Sequence, residues 1–207
     1  MKEKLTENII INNQLLPHNI TNESVLKLFR SVNKENFFDK EDKSMANVDE
    51  NFFFNEKRFI LKNSTIAKLL NLIVNGNYSN TLNVGSSNGF TSAILSQISS
   101  FVVSLESDKS LHEKEKKNLK IHEIENVKSV NEKLNCGYKN SMPYDLIFIN
   151  GCLIESPKTF LSQLESIGRL VCIENTNFNI KKIVQYFKNN KILERKEYYI
   201  VNAPLLL

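Results

Sequence analysis

The stretch from Thr81 to Asp108, TLNVGSSNGFTSAILSQISSFVVSLESD, constrains the fold of this chain more than any other. Its pattern predicts a buried strand over Thr81–Val84, a small-residue turn over 85–89, a helix from Phe90 to about Ser99, and a second strand over Phe101–Leu105. This order is one βαβ unit. In such units, ligands bind where the turn opens onto the helix.

The length of 207 residues, 41% of them hydrophobic, suits one α/β domain with a complete core. We expect one compact unit made of an N-terminal helical extension over residues 1–64 and an α/β domain over 65–207. The net charge of +4 comes from interspersed Lys and Glu, and no basic block indicates a nucleic-acid arm. The run Lys114–Lys120 is interpreted as a solvated helix face.

The cysteines and histidines indicate neither a disulfide framework nor a metal site. Cys136, Cys152 and Cys172 are too far apart for a CxxC pair, and their number is odd. The three histidines have no metal-ligand spacing, and no apolar run approaches the length of a membrane span. We therefore expect a soluble cytoplasmic protein with reduced thiols and no metal.

The N-terminal region shows two helical patterns within residues 5–32, and Thr21 or Asn22 can cap the second. Residues 33–63 are irregular and contain an aromatic cluster, Phe37, Phe38 and Phe52–Phe54, which we expect to attach the extension to the core.

Farther along the chain, strands alternate with helices, which indicates an open, mostly parallel sheet flanked by helices. The predicted helices are Ser64–Val74, Ser107–Ile121, Pro157–Leu164 and Ile180–Lys188; the predicted strands are Asn126–Val130, Tyr144–Asn150, Arg169–Glu174, Ile192–Glu197 and Tyr198–Ala203.

The turn after the first strand excludes two common ligand motifs. A dinucleotide site requires GxGxxG, but here Ser87 replaces the middle glycine and Phe90 the third. A P-loop requires a lysine after the last glycine, and none follows Gly89.

An adenosine-bearing ligand without a pyrophosphate, such as S-adenosylmethionine, remains. Glu106 lies about 20 residues after Gly85, the separation expected for a ribose-binding acid. Alternatively, Glu106 only ends its strand and caps the next helix.

Several segments, in the right order, resemble the protein-L-isoaspartate O-methyltransferases. The family reads approximately VLEIGTGSGY and VVSVE where this chain has TLNVGSSNGF and VVSLE. PYDLIFING, GRLVCI and the opening IINNQLLPHNITNESVLKLF are similar to further family segments, and Asp49 matches an acid of the family's N-terminal region. The resemblance implies a Rossmann-like class I methyltransferase fold, with the 1–64 extension carrying the substrate-side loop and residues 65–207 binding S-adenosylmethionine. Its partner would be a protein or peptide with isoaspartyl residues, not nucleic acid or a membrane.

Carried over position by position, the resemblance implies a cofactor site at the ends of the strands. Its candidate residues are Asn83, Gly85, Ser86, Ser87, Gly89, Glu106 and Glu132. Glu106 would hold the ribose, and Glu132 falls near the acid beside the adenine. Asn150, followed by Gly151, would lie where the acceptor meets the methyl group.

The chain departs from the family at two places. Asn83 replaces an acid in the first strand. The substrate motif GxGQTISQP aligns with residues 55–63, NEKRFILKN, so Leu61 stands at the serine position and is expected to be inert, and Phe59 stands at the threonine. A hydroxyl for the acceptor is missing unless Ser64 or Thr65 supplies one. Arg58 and Lys62 become candidate carboxylate clamps, or else are solvated cations.

A carboxylate nucleophile is already ionised at neutral pH, so methyl transfer requires no general base. The leading hypothesis is therefore an isoaspartyl O-methyltransferase of a divergent bacterial branch that lacks the serine. Two alternatives stay open: a methyltransferase with a different acceptor, and a homologue whose catalytic loop has decayed. Modification of a nucleic acid is a distant fourth.

Overall fold

The computed structural model describes residues 9–176 and 179–206. The strands are β1 Phe52–Phe53, β2 Phe59–Ile60, β3 Tyr78–Val84, β4 Ser99–Glu106, β5 Val127–Asn131, β6 Tyr144–Leu153, β7 Leu164–Asn175, β8 Lys181–Asn189 and β9 Ile192–Ile200. A two-stranded hairpin, β1 and β2, precedes a seven-stranded sheet of order β5-β4-β3-β6-β7-β8-β9. The pairs β5-β4, β4-β3, β3-β6 and β6-β7 are parallel, and the pairs β7-β8 and β8-β9 are antiparallel. The expected open, mostly parallel sheet is confirmed.

Five α-helices that lie wholly within the described residues flank the sheet: α1 Glu23–Ser31, α2 Asn63–Asn71, α3 Phe90–Leu95, α4 Lys109–Ile121 and α5 Lys158–Leu161. Asn22 caps α1, as the sequence allowed, since its side chain accepts from the amide of Ser24. Shorter helical turns cover Ile11–Leu15, Leu16–His18, Lys34–Phe37, Lys43–Asn47, Leu134–Cys136 and Lys139–Ser141. Within the described ranges, no helix has the length and apolar composition to cross a membrane.

The central strands bury side chains on both faces of the sheet. Along β6, Leu146 and Phe148 pack into one hydrophobic cluster, while Ile147 and Ile149 pack into the other. This alternation follows the two-residue period of a strand. Both faces are covered, which explains why the strand sequence is apolar throughout.

The aromatic cluster attaches the N-terminal extension to the core, as expected. Phe37 packs edge to face against Phe90, the first residue of α3, with ring centroids 5.8 Å apart. Phe38, Phe52 and Phe54 form a second group, with centroid separations of 5.1–6.1 Å. The extension therefore contacts the helix that follows the small-residue turn.

The predicted helix Ile180–Lys188 is wrong, because these residues form strand β8. Val184 and Ile183 are fully buried in the sheet, where tertiary pairing with β7 and β9 overrides the helical spacing. The two strands predicted over 192–203 are the single strand β9. Asn190 has φ of 55°, which lets a two-residue hairpin turn join β8 to β9.

Two further boundaries differ from the prediction. The helix predicted over Pro157–Leu164 ends at Leu161, and β7 begins at Leu164, five residues before the predicted strand Arg169–Glu174, because the added residues pair with β8. Helix α3 ends at Leu95, four residues before the predicted end, because β4 starts at Ser99 to pair with Tyr78 of β3.

A buried lysine joins the extension to the start of α2. The Lys34 ammonium is 1% exposed and donates to Asn63 Oδ1 at 2.8 Å; Asn63 in turn donates to Gln14 and to the carbonyl of Ala46. Burial is the main cause that lowers the pKa of Lys34 from 10.5 to about 7, and the Asp49 carboxylate opposes this shift. The neutral amine is therefore favoured in the folded state.

Replacing Lys34 by methionine is expected to remove part of the pH dependence of stability. Between pH 7 and 10.5 the unfolded lysine binds more protons than the folded one. The free energy of unfolding should therefore rise with pH in this window, by up to about 1.4 kcal/mol per pH unit. Urea titrations at several pH values should show this rise in the wild type relative to Lys34→Met. The exposed Lys40 provides the control Lys40→Met. Equal slopes for the wild type and Lys34→Met would contradict the assignment.

Candidate functional site

The small-residue turn lies at the carboxyl end of β3, between that strand and α3. Gly85, Ser87 and Gly89 have φ values of 75°, 54° and 91°, which are in the left-handed region. Glycine adopts these angles readily, which accounts for the two glycines in the turn. The backbone amides of such a turn point toward the edge of the sheet where βαβ units bind ligands.

Glu106 ends β4 beside this turn, and its carboxylate is completely buried. Two backbone amides donate to it: that of Ser87 at 2.8 Å and that of Asp108 at 2.9 Å. The guanidinium of Arg58 donates to both oxygens, from Nε at 2.8 Å and from Nη2 at 2.5 Å. The carboxylate thus accepts four hydrogen bonds, which is about its full capacity.

Arg58 reaches Glu106 from the loop that joins β1 to β2. The residue is 4% exposed, and its Nη1 is buried without a partner. Asn55 shapes the loop, because its Oδ1 accepts from the amides of Lys57 and Arg58 and its Nδ2 donates to Asp108. The sequence allowed two roles for Arg58, a clamp for the acceptor or a solvated cation. The clamp stays a prediction, whereas the buried pair with Glu106 excludes a solvated side chain.

Side chains of the same chain fill the space beside the turn. A Cβ atom on Gly85 would lie 2.9 Å from Cδ1 of Leu206 and 3.2 Å from Nη2 of Arg58. One on Gly151 would lie 2.7 Å from Cβ of Leu206 and 2.9 Å from Cζ of Phe59. The hydroxyl of Ser87 donates to the carbonyl of Phe59 at 2.6 Å, which holds the β1–β2 hairpin against the turn.

The other predicted cofactor residues lie in different surroundings. Asn83 is buried and donates to Ser92 Oγ at 2.9 Å, and its Oδ1 accepts from Asn150 Nδ2 at 2.6 Å. Asn150 also donates to the carbonyl of Val84 at 2.9 Å. The structure therefore brings Asn83 and Asn150 together. Glu132 is exposed, and its backbone amide donates to the carbonyl of Glu106 at 3.2 Å.

A second buried carboxylate lies on α4 and accepts a hydrogen bond from the turn. Glu115 of α4 is completely buried and accepts from four serine hydroxyls at 2.5–2.9 Å, those of Ser86, Ser92, Ser104 and Ser129. Burial raises the pKa of Glu115, and the four hydrogen bonds oppose the shift. Ser86 thereby ties the predicted cofactor turn to α4.

The sequence reasoning missed Glu115, because the run Lys114–Lys120 was interpreted as a solvated face. That interpretation is wrong at Glu115 and Asn118, which are buried. A signal was present, since Leu111, Glu115, Asn118 and Leu119 follow the spacing of one helix face.

The residues of the altered substrate loop are mostly buried. Phe59 and Leu61 are each 1% exposed, while Lys62 is half-buried at the start of α2. Ser64 and Thr65 lie in the first turn of α2, with both hydroxyls buried and without partners. Neither hydroxyl extends into solvent.

Asp49, the acid matched in the N-terminal region, lies beside the start of α2. Its Oδ1 accepts from the amide of Ser64 at 2.8 Å, and its Oδ2 lies 3.4 Å from His18 Nε2. The carboxylate therefore satisfies one of the free amides at the helix N-terminus.

The hydrogen-bonding groups beside the turn match those that S-adenosylmethionine requires. A carboxylate at the end of the second strand suits a ribose diol, and the turn offers backbone amides without the close approach that a pyrophosphate requires. In the conformation described, however, Arg58 uses the carboxylate, and Leu206 and Phe59 fill the adjoining space.

Among the described residues, no cluster of His, Cys, Asp or Glu could hold a metal ion.

Comparison with known proteins identifies relatives over nearly the whole chain. Residues 5–205 match the family model "Protein-L-isoaspartate(D-aspartate) O-methyltransferase (PCMT)". A protein-L-isoaspartate O-methyltransferase of Photobacterium profundum is 30% identical over 154 residues, which cover 74% of each chain. Those of Helicobacter pylori strain G27 and Burkholderia lata are 28% and 27% identical over 82% of this chain, which cover 80% and 54% of those proteins.

Two solved structures share the fold. A structure named protein-L-isoaspartate O-methyltransferase superposes with a TM-score of 0.78 at 21% identity, over 98% of this chain and 65% of that one. One from Plasmodium falciparum, in complex with S-adenosyl-L-homocysteine, gives a TM-score of 0.80 at 16% identity, over 99% and 97% of the two chains. At these identities, the likeness concerns the fold, which is the expected Rossmann-like class I methyltransferase fold.

Proposed function

Because the chain belongs to the protein-L-isoaspartate (D-aspartate) O-methyltransferase family, whose members are S-adenosylmethionine-dependent methyltransferases, we propose that it methylates the carboxylate of isoaspartyl residues in damaged proteins or peptides. The observation that carries the proposal is the position of Glu106. It ends β4 beside the small-residue turn, and the amides of Ser87 and Asp108 orient its carboxylate. This is the group that a ribose diol requires.

When bound, S-adenosylmethionine would supply an electrophilic methyl group on its sulfonium, and S-adenosylhomocysteine would leave as the S–C bond breaks and the carboxylate oxygen takes the methyl group. An isoaspartyl carboxylate is ionised at neutral pH, so the chain does not have to remove a proton. Its residues have to bind, orient and exclude water. Holding the partners in a near-attack geometry can lower the barrier by about 7–11 kcal/mol. Loss of the serine hydroxyl at Leu61 is therefore compatible with catalysis.

Orientation of the acceptor falls to the residues around the altered loop. Lys62 is half-buried at the start of α2, and its ammonium can pair with a carboxylate. We assign Lys62 as the clamp in preference to Arg58, because Arg58 would first have to leave Glu106. Asn150, held within β6 by Asn83 and Val84, would position the acceptor.

The same proposal covers the methyl acceptor and the cellular location. The proposed acceptor is a protein or peptide that contains an isoaspartyl residue, which the family match supports. The cytoplasm is the proposed location, and it is supported by the three free thiols.

A labelled-methyl assay tests this function. Purified protein is incubated with methyl-labelled S-adenosylmethionine and with two peptides that differ only in one isoaspartyl or aspartyl residue. We expect base-labile label on the isoaspartyl peptide alone, and little label with Lys62→Gln. The variant Glu165→Gln, at an exposed position, should keep the wild-type rate. Label on both peptides, or on neither when S-adenosylhomocysteine binding is measurable, would overturn the proposed acceptor.

A further inference from the structure

We propose that Arg58 is a built-in competitor for the cofactor: its guanidinium occupies the carboxylate that the ribose needs, and cofactor binding requires the β1–β2 loop to release Glu106. The inference rests on the proposed function. It concerns the same site, but it adds a conformational step that a preformed cofactor cleft would not have.

The competition follows from the hydrogen bonds of Glu106. Two of its four acceptor positions are used by the amides of Ser87 and Asp108, which belong to the turn and to the start of α4. The other two accept from Nε and Nη2 of Arg58. A ribose diol also donates two hydrogen bonds, so it has to replace the guanidinium.

Two apolar side chains reinforce the closed state. Phe59, the next residue after Arg58, lies against Gly151, and Leu206 lies between Gly85 and Gly151. Leu206 is held there because its amide donates to the carbonyl of Cys152 at 2.8 Å, at the end of β6. The space beside Gly85 and Gly151 is thus filled from two sides by separate segments of the chain.

The closed state has features that allow it to open. Nη1 of Arg58 is buried without a partner, which is an unfavourable arrangement for a charged group. The cost of desolvating both ions offsets much of their attraction, so a buried ion pair gains little net stability over the two ions in water. Strands β1 and β2 have two residues each, and Asn55, Glu56 and Lys57 at the tip of the loop are exposed, so the tip itself is not packed into the core.

The affinity for the cofactor should therefore be set by the population of the open state. If only a fraction of the molecules is open, the apparent dissociation constant exceeds the intrinsic one by the inverse of that fraction. In the family's substrate motif, GxGQTISQP, glutamine stands at the position that aligns with Arg58. Glutamine is neutral and cannot form the bidentate ion pair, so Arg58→Gln should raise the open fraction.

Calorimetric titration with S-adenosylhomocysteine compares the wild type with Arg58→Gln, Leu206→Ala and Lys57→Gln. We expect Arg58→Gln to bind about tenfold tighter or better than the wild type, and Leu206→Ala to bind tighter by a smaller factor. Lys57→Gln removes the same charge from the same loop without touching Glu106, and it should match the wild type. Circular dichroism of each variant checks that it is folded.

Hydrogen exchange gives a readout that binding alone does not. In the wild type, S-adenosylhomocysteine should slow exchange at the turn 85–89 and accelerate it at residues 55–58, because the loop is displaced. A merely structural Arg58 would show protection at both places. Equal affinities of the wild type and Arg58→Gln would overturn the competitor and leave cofactor binding intact. Absence of binding in every folded variant would overturn both the competitor and the proposed function.

Discussion

Replacing Glu106 by glutamine is expected to lower the free energy of unfolding by about 3–5 kcal/mol, because it leaves the guanidinium of Arg58 buried without a counter-charge. Arg58 is 4% exposed and Glu106 is fully buried, so solvent compensates little for the lost partner. The amide of glutamine retains one acceptor for the backbone donors, which makes this variant a probe of the ion pair itself. Urea denaturation at pH 7 measures the loss.

A double-mutant cycle separates the pair from its surroundings. Arg58→Gln combined with Glu106→Gln removes both charges, and the double variant should be more stable than the sum of the single losses predicts, by about 1.5 kcal/mol or more. The exposed pair Lys114–Asp39, with nitrogen and oxygen 2.6 Å apart, provides the control. Asp39→Asn should cost about 1 kcal/mol or less. A loss of similar size for Glu106→Gln would show that the pair is solvated.

The βαβ unit that carries the proposed cofactor site could be predicted from the sequence because its signals are local. A strand, a small-residue turn, a helix and an acid at a fixed separation occur within Thr81–Asp108, and the structure has all four. The family and the fold class are also confirmed. The burial of the central strands follows from their apolar runs, which are typical of parallel strands covered on both faces.

The rest could not be predicted because it depends on contacts between distant residues. Arg58 and Glu106 are 48 residues apart, and nothing in either segment indicates that they pair. Leu206 meets Gly85 only because the chain after β9 returns to the end of β6. Residues 180–188 have a helical spacing, and their position between β7 and β9 makes them a strand. The roles of the individual site residues stay predictions.

Removing the buried carboxylate of Glu115 should have the second largest effect. Glu115→Leu leaves Ser86 without its side-chain acceptor, and it also leaves one hydroxyl of the Ser92–Ser104 pair without one, because only one of these two can donate to the other. Ser129 can still bond to His112. With a penalty of about 1–3 kcal/mol for each unsatisfied hydroxyl, we expect a loss of about 3 kcal/mol in the free energy of unfolding. Glu113→Leu, on the exposed face of the same helix, is the matched control and should change stability little.

The pH dependence of the Glu115 contribution has a definite sign. Burial raises the pKa of this carboxyl above its unfolded value of 4.5, so in the window above pH 4.5 the folded state binds more protons than the unfolded state. The stabilisation that Glu115 contributes through its raised pKa is fully present below pH 4.5 and is lost as the pH rises through the folded pKa. Relative to Glu115→Gln, which does not titrate, wild-type stability should therefore fall with rising pH. A difference between the two proteins that stays constant or grows with pH would mean that the four serine hydroxyls outweigh desolvation, and that Glu115 holds Ser86 and the turn as an anion throughout.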